Sequence, residues 1–381
     1  MTPGSAAPSS EELLEAVWCC TNIAASGHEE TLAVAKGAAP YLLLLCGTAA
    51  ASTHVQEYAA WALGNIAGDD EECRELLVSL GAAAPLVKLL NSTHRSTVQT
   101  AAWALSNMLK SIFVDVRVYL DAGIIDAAVH WLNSSRRTDD VTLEIVWVLA
   151  YLTDKQMDAR STLLAHNVVP TVAHLLVSGD IRFVTPCVRV LGNLVELHNA
   201  CSDVLLAVPG VLDKLAIICS PATALAAAAH MPTADVDHST RLDIAHMSHT
   251  PMSTTSSGSA AVGGFPSPVA AASTSAVPTL GVPSAQPTPD LSVAADGAQS
   301  YTNAHIREAL WLLSNIAGGT PAHAWQLVSA PLPADVSALL SDSGPVFGFL
   351  SLAMHHLTGL WNVRVSASWL LFNIAVQRFY P

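Results

Sequence analysis

Apolar positions along this chain recur at helical spacing, and inside the Ala/Leu-rich runs that they form a Trp returns with an Asn four places after it. The pair stands at Trp18 and Asn22, Trp61 and Asn65, Trp103 and Asn107, Trp311 and Asn315, and Trp369 and Asn373. Two variants continue the series, Trp147 with Tyr151 and Arg189 with Asn193. From Trp18 to Arg189 the first positions lie 43, 42, 44 and 42 residues apart. A second phase agrees with the first. About 20 residues before each motif, a Gly or Asn and then a Pro or small residue precede a Leu/Val run: Gly37 with Pro40, Gly81 with Pro85, Gly123, and Asn167 with Pro170. Gly closes a helix in the left-handed conformation and Pro suits the first turn of the next, so each repeat is expected to hold at least two longer helices.

A period near 42 residues falls in the range of armadillo and HEAT solenoids. Two intervals are longer. Arg189 and Trp311 are 122 residues apart, about 80 more than one period. The excess coincides with residues 221–300, which are rich in Ala, Ser, Thr, Pro and Gly and have Arg241 as their single Lys or Arg. Such a composition buries too little apolar surface to order itself, and it reads as a disordered insert between repeats. The interval from Trp311 to Trp369 is 58, and its extra residues are assigned to the Pro331 to Gly348 region. The expected organisation is a disordered N-terminus at 1–10, about five repeats over 11–220, the insert at 221–300, and about two repeats over 301–381, the last irregular.

Composition narrows the partner. Hydrophobic residues make up 51% of the chain and charged ones 13%, which suits many short buried helices. Against 17 Lys and Arg stand 31 Asp and Glu, a net charge of −14, so a nucleic-acid backbone is repelled and a basic peptide attracted. The seven cysteines form no Cys-x-x-Cys pair and are odd in number, which argues against a disulfide framework or a zinc knuckle and for reduced, buried, intracellular thiols. The first Lys or Arg is Lys36, and Glu11 and Glu12 stand where the apolar part of a signal peptide would begin, so none is expected. No apolar stretch is long enough for a spanning helix, and no membrane partner is expected.

Positions i and i+4 of a helix share a face, so stacked repeats would carry Trp and Asn in two parallel rows. Asn is a mediocre helix former, and its amide can match one N–H and one C=O of an extended peptide. Slots between Trp rings would hold the methylene stem of a Lys or Arg, with cation–π attraction of about 0.5 to 2 kcal/mol each. Aromatic residues at helical spacing are more often packing than site. Five pairs in phase favour a surface, because a core position would accept Leu or Phe in some repeats. Carboxylates lie close by: Asp69 and Asp70 after Asn65, Glu144 before Trp147, Asp154 after Tyr151, and Glu308 before Trp311. On this reading the Asn row can be removed without loss of stability, since Ala is the better helix former.

At these residues the chain resembles the importin alpha family, the armadillo-repeat receptors for nuclear localisation signals. The segments are AWALGNIAGDD (60–70), AWALSNMLK (102–110), VWVLAYLTD (146–154), VTPCVRVLGNLV (184–195) and EALWLLSNIAGG (308–319). Replacement of Asn by Tyr at Tyr151, then of Trp by Arg at Arg189, follows the family's own order of exceptions. The resemblance covers about residues 11–220 and 301–381. It implies an all-α, right-handed superhelical armadillo solenoid that binds basic signal peptides in a Trp/Asn-lined concave groove, without catalysis or cofactor, and that works in cytoplasm and nucleus. It places Trp18, Asn22, Trp61, Asn65, Asp69, Trp103, Asn107, Glu144 and Trp147 on a major peptide site, with Asp69 receiving a key lysine. Tyr151, Arg189, Asn193, Glu308, Trp311, Asn315, Trp369 and Asn373 fall on a minor site.

Three departures qualify the resemblance. The family's basic N-terminal segment recruits importin beta, whereas residues 1–35 contain no Lys or Arg, so importin beta stays an open partner. The first family repeat and those after Asn373 are not found, and Ser366 stands where a Glu is expected. The alternative is an armadillo scaffold or chaperone that holds basic proteins without importing them. No phosphate-binding loop, His-Glu-x-x-His or Gly-x-Ser-x-Gly motif supports an enzyme. The histidines of the insert, His230, His238, His246 and His249, make no metal site.

Overall fold

In the computed structural model residues 8–111, 113, 115–134, 139–155, 157–224, 301–341 and 345–379 are described. Residues 1–7 of the expected N-terminal tail and 225–300 of the expected insert lie outside them. Among the described residues every regular element is helical. The chain opens with α1 (Ser10–Ile23), α2 (His28–Gly47) and α3 (Thr53–Asp69). Four three-helix repeats follow: α4 (Glu71–Ser79), α5 (Ala83–Leu89) and α6 (Arg95–Met108); α7 (Arg117–Asp121), α8 (Ile124–Leu132) and α9 (Asp140–Lys155); α10 (Met157–Ala165), α11 (Val168–Val177) and α12 (Val184–Leu197); α13 (Asn199–Leu206), α14 (Val211–Ile218) and α15 (Asn303–Gly319). The last unit holds α16 (Pro321–Ser329), α17 (Ala334–Ser341), α18 (Gly348–His356) and α19 (Trp361–Phe379).

Local sequence sets the helix starts. Ser9 and Glu12 form a capping box on α1, with the Glu12 amide 3.2 Å from Ser9 Oγ and the Ser9 amide 2.7 Å from Glu12 Oε2. Asp70 caps α4 through the Cys73 amide at 2.8 Å, and Thr320 caps α16 through the His323 amide at 3.2 Å. Between the two shorter helices of a repeat the chain turns on a left-handed residue, namely Gly81, Gly123, Asn167 and Gly210. The first unit differs from expectation here. Gly37 and Pro40 do not separate two helices; α2 runs through both. Its buried stripe of Val34, Ala35, Ala39, Leu42 and Leu43 packs as one face, and that burial outweighs the internal hydrogen bond lost at Pro40.

The seven motif helices stack in chain order, α1 on α3, then α6, α9, α12, α15 and α19. α12 and α15 pack directly, so the stack continues across the residues between α14 and α15. The core runs behind the motif face as a strip. In the five inner motifs a Leu two residues after the first position is fully buried: Leu63, Leu105, Leu149, Leu191 and Leu313. Truncating one of these to Ala would cost about 2 to 5 kcal/mol. The extra residues of the last unit include α17, and the turn into α18 requires Gly348: its φ is 49°, and a Cβ there would strike the carbonyls of Leu327 and Val328.

No single helix among the described residues is long and apolar enough to cross a membrane. The seven cysteines are free thiols. Five are buried, and burial pushes Cys46 and Cys73 up to about 12. The sequence reading of uniformly buried thiols is corrected at α1, where Cys19 is exposed and Cys20 is half-buried against the edge of the core.

Candidate peptide-binding ladder

The motif face is a row of aromatic rings seated on small residues. Trp18 and Trp369, at the two ends, are 50% and 44% exposed, and Trp61, Trp103, Trp147 and Trp311 are half-buried. These rings are therefore not core, yet two of them have a clear seat. A Cβ on Gly64 would lie inside the Trp103 ring, and one on Gly192 inside the Trp311 ring. The residue just before each motif's last position is thus a floor for the next repeat's Trp. Where that floor is Ser, the hydroxyl folds back onto its own helix: Ser106 Oγ donates to the Trp103 carbonyl and Ser314 Oγ to the Trp311 carbonyl, both at 2.8 Å. Phe372 breaks the column, stands 56% exposed and meets Trp369 edge-on at 5.7 Å.

The Asn row ties the helices together. Asn65 Nδ2 donates to the Thr21 carbonyl at 3.0 Å, Asn107 to Gly64 at 3.1 Å, Asn315 to Gly192 at 3.2 Å and Asn373 to Ser314 at 2.8 Å. Each acceptor is the floor residue of the preceding repeat, whether 43 or 123 residues separate the partners. Asn193 keeps the pattern with a substitute, donating to Thr153 Oγ1 at 3.1 Å. These straps use one of the two amide hydrogens, so the same side chain joins repeats and presents further polar capacity on the ladder face. The expectation that the Asn row is separable from stability is corrected by this geometry.

The carboxylates differ among themselves. Asp69, one turn beyond Asn65, has His28 Nδ1 at 2.6 Å from its Oδ2, and Asp70 Oδ2 is 3.8 Å from the same nitrogen. The Asp69 bond, together with the charges of Asp69, Asp70 and Glu72, holds the His28 imidazole above its usual range. Burial pushes Glu144 up to about 7, opposed by the charge of Lys110 and assisted by that of Asp140. Lys110 Nζ donates to Asn107 Oδ1 at 2.7 Å and lies 5.9 Å from the Tyr151 ring centroid; burial and the charge of Arg74 lower it. Glu308 is buried and receives Arg189 at 2.9 Å and Arg307 at 3.3 Å on one oxygen.

The predicted residues therefore fall on one face of successive helices, but they form two chemical regions. Around Trp18 to Trp103 the cation nearest a ladder carboxylate is a half-exposed histidine. From Asn107 to Glu308 the chain's own Lys110, Arg189 and Arg307 meet ladder groups. Sequence reading missed His28, Lys110 and Tyr58, whose ring stacks on Trp61 with centroids 5.8 Å apart and an interplanar angle of 25°. Tyr58 stands three places before Trp61, one helical turn away, and that spacing was the available signal.

The model for the armadillo/beta-catenin-like repeat matches residues 70–110, which span one whole repeat of the structure, α4 to α6. Importin subunit alpha-9 of Arabidopsis thaliana is 40% identical over 192 residues, 49% of this chain and 36% of that protein. Importin subunit alpha-1b of Oryza sativa subsp. japonica is 31% identical over 210 residues, 53% of this chain and 38% of its own length. Over these stretches the chain is similar to importin alpha subunits, and it carries the armadillo repeat. It spans little more than a third of the length of these importin alpha relatives. Among solved structures, a set of designed armadillo repeat proteins for modular peptide recognition is similar at 23% identity and a TM-score of 0.50, covering 55% of this chain and 88% of theirs. An engineered protein is similar at 18% identity and a TM-score of 0.54 over 89% of this chain and 97% of its own. These two likenesses support the helical solenoid fold.

Proposed function

We propose that this chain is an adaptor that binds basic nuclear localisation signal peptides along the Trp/Asn ladder for nuclear import. The observation that carries the reading is the in-phase row of partly exposed Trp rings beside Asn amides, with Asp69 and Glu144 one turn away. An extended peptide would lay its backbone against the Asn row, its lysine stems between Trp rings and its ammonium groups toward the carboxylates. Kinship with the importin alpha subunits of plants supports the same reading. Binding rather than catalysis is the activity, and shuttling between cytoplasm and nucleus follows from the adaptor role.

Trp18, Asn22, Trp61, Asn65, Asp69, Trp103 and Asn107 are proposed as the principal peptide site, extended by Glu144 and Trp147. Tyr151, Arg189, Asn193, Glu308, Trp311, Asn315, Trp369 and Asn373 are proposed as the second. The scaffold reading is favoured by one observation, the occupation of the middle of the ladder by Lys110 and Arg189, which leaves a shorter uninterrupted row than a long cargo segment needs.

Titration of a fluorescent Lys-rich peptide at low and moderate ionic strength tests the binding. Tighter binding at low salt is expected, because exposed ion pairs are screened. No binding in either buffer overturns the reading. Nuclear accumulation of a signal-bearing reporter in permeabilised cells supplied with importin beta then separates adaptor from scaffold; cytoplasmic retention favours the scaffold.

A further inference from the structure

On the proposed reading Asp69 is the carboxylate that receives a cargo lysine, and within this chain it already has a partner. His28 begins α2 directly after Gly27, and its ring reaches across to the end of α3, placing Nδ1 2.6 Å from Asp69 Oδ2 and 3.8 Å from Asp70 Oδ2. The histidine side chain is 49% exposed and Asp69 24%, so an incoming group can reach the pair. The surroundings are acidic. From α2 itself come Glu29, Glu30 and Lys36; from the α3–α4 junction come Asp69, Asp70, Glu71, Glu72, Cys73 and Arg74. Lys36 is paired with Glu72 at 3.2 Å, and Arg74 is held by Glu71 at 3.2 Å and by the Ala67 carbonyl at 2.9 Å. Cys73 Sγ lies 3.7 Å from the same Asp69 oxygen. No cation other than the His28 imidazolium is recorded in an ion pair with Asp69 among the described residues.

We propose that His28 is a specificity-determining residue of the Asp69 subsite: its imidazolium occupies the carboxylate as a lysine would, and a cargo lysine binds by displacing it or taking its proton's place. The proposal rests on the reading that the ladder binds basic peptides. It adds a proton to the binding equilibrium. In the free protein Asp69 favours the protonated form of His28, whereas an ammonium seated on Asp69 disfavours it. Binding therefore releases protons, and affinity rises with pH by at most tenfold per unit for one proton. The sign follows directly. Below the pKa of the paired His28 the competitor is charged and binding is weak; above it the imidazole is neutral and Asp69 is open to the lysine. Because the Asp69 bond holds His28 above its ordinary value of 6.5, the window lies above that of a free histidine.

Glu144 titrates near 7 and acts in the same direction, so the two must be told apart. The affinity of a fluorescent Lys-rich peptide for the full chain is measured from pH 6.0 to 8.5 at constant ionic strength, for the parent, His28→Gln, His28→Lys and Glu144→Gln. The parent is expected to tighten by about 2- to 5-fold across this range, the scale of one exposed charge pair. His28→Gln is expected to bind as tightly at pH 6.0 as the parent does at high pH, apart from the share due to Glu144. His28→Lys is expected to bind weakly throughout, and Glu144→Gln to keep the His28 share of the rise. Saturating peptide should lower the His28 titration midpoint followed by NMR. An equal rise in the parent and His28→Gln, or a His28 midpoint unmoved by peptide, overturns the coupling while leaving the ladder reading intact. Absence of peptide binding at every pH overturns the ladder reading and this inference with it.

Discussion

Asn107 donates its amide nitrogen to the Gly64 carbonyl of the preceding motif helix at 3.1 Å, and the same Gly64 has no side chain because the Trp103 ring covers it. One repeat thus reads the next through two contacts at a single residue, a strap and a seat. This relation returns at Asn315, Gly192 and Trp311. It explains how spacing along the ladder stays uniform while the chain between repeats varies in length.

Removing the strap has a cost in both stability and binding. Asn107 is 3% exposed, so Asn107→Ala loses a buried hydrogen bond, about 1 kcal/mol, against a gain of about half that from the helix preference of Ala. A melt of a few degrees below the parent is expected, together with weaker peptide binding. Asn22→Ala tests the contrast: Asn22 is exposed on α1, so its replacement should leave the melt unchanged while still lowering affinity.

The seat gives an inversion of the usual helix rule. Gly to Ala within a helix ordinarily stabilises by about 0.5 to 1 kcal/mol. At Gly37, where a Cβ would meet nothing within 4 Å, that gain is expected. At Gly64 the new methyl falls inside the Trp103 ring, and the ring must leave the row, at a cost of about 1 to 3 kcal/mol. Thermal melts of the two variants should shift in opposite directions, and near-UV circular dichroism of Gly64→Ala should report the displaced indole. A stable Gly64→Ala with parent-like spectra contradicts the seat.

Glu144 makes stability depend on pH. Burial holds its folded pKa at about 7, above the ordinary 4.5, so folding favours the protonated form. Its contribution is fully present below about 4.5 and is lost as pH rises through 7. Glu144→Gln is therefore expected to stabilise the chain at pH 8, on the order of 1 to 3 kcal/mol, and to change little at pH 5. Denaturant melts at the two values check this. Basic peptide should narrow the difference, since an ammonium beside Glu144 favours its charged form.

The period of the motif was legible because the inner repeats bury a Leu two places after the motif's first position and, where that position is Trp, keep the ring partly exposed. Those demands write a fixed column into the sequence. The floor column was also written there, as Thr21, Gly64, Ser106, Ala150, Gly192 and Ser314, but its meaning depends on the next motif's first position, 39 to 41 residues on in uninterrupted repeats. The helix break at Gly37 was misread because Gly and Pro signal a local preference, and packing of the α2 stripe decides against it. His28 and Lys110 were invisible for a related reason. Each is an ordinary surface residue by sequence, and only the stack brings His28 to Asp69 across 41 residues and Lys110 to the Tyr151 ring of the next repeat.

The junction between α14 and α15 offers the broadest test of the solenoid. Across it Asn315 reaches the Gly192 carbonyl, Arg189 meets Glu308, Trp311 sits on Gly192, and His356 Nε2 lies 2.8 Å from the Cys219 carbonyl. None of these contacts involves residues 225–300. If that stretch is the unstructured insert expected from its composition, a short Gly/Ser linker in its place shortens the connection by roughly three doublings, and loop closure then favours the folded state by about 2 kcal/mol. The variant is expected to melt no lower than the parent, to show more helix per residue by far-UV circular dichroism, and to bind the Lys-rich peptide with unchanged affinity. Peptide affinity is the decisive arm, because a repeat array cut in two at the junction would lose the ladder's second half even if both pieces stayed helical. A lower melt with weaker binding would show that residues 225–300 contribute to the stack, and the continuity of the ladder from Asn193 to Asn315 would then need another explanation.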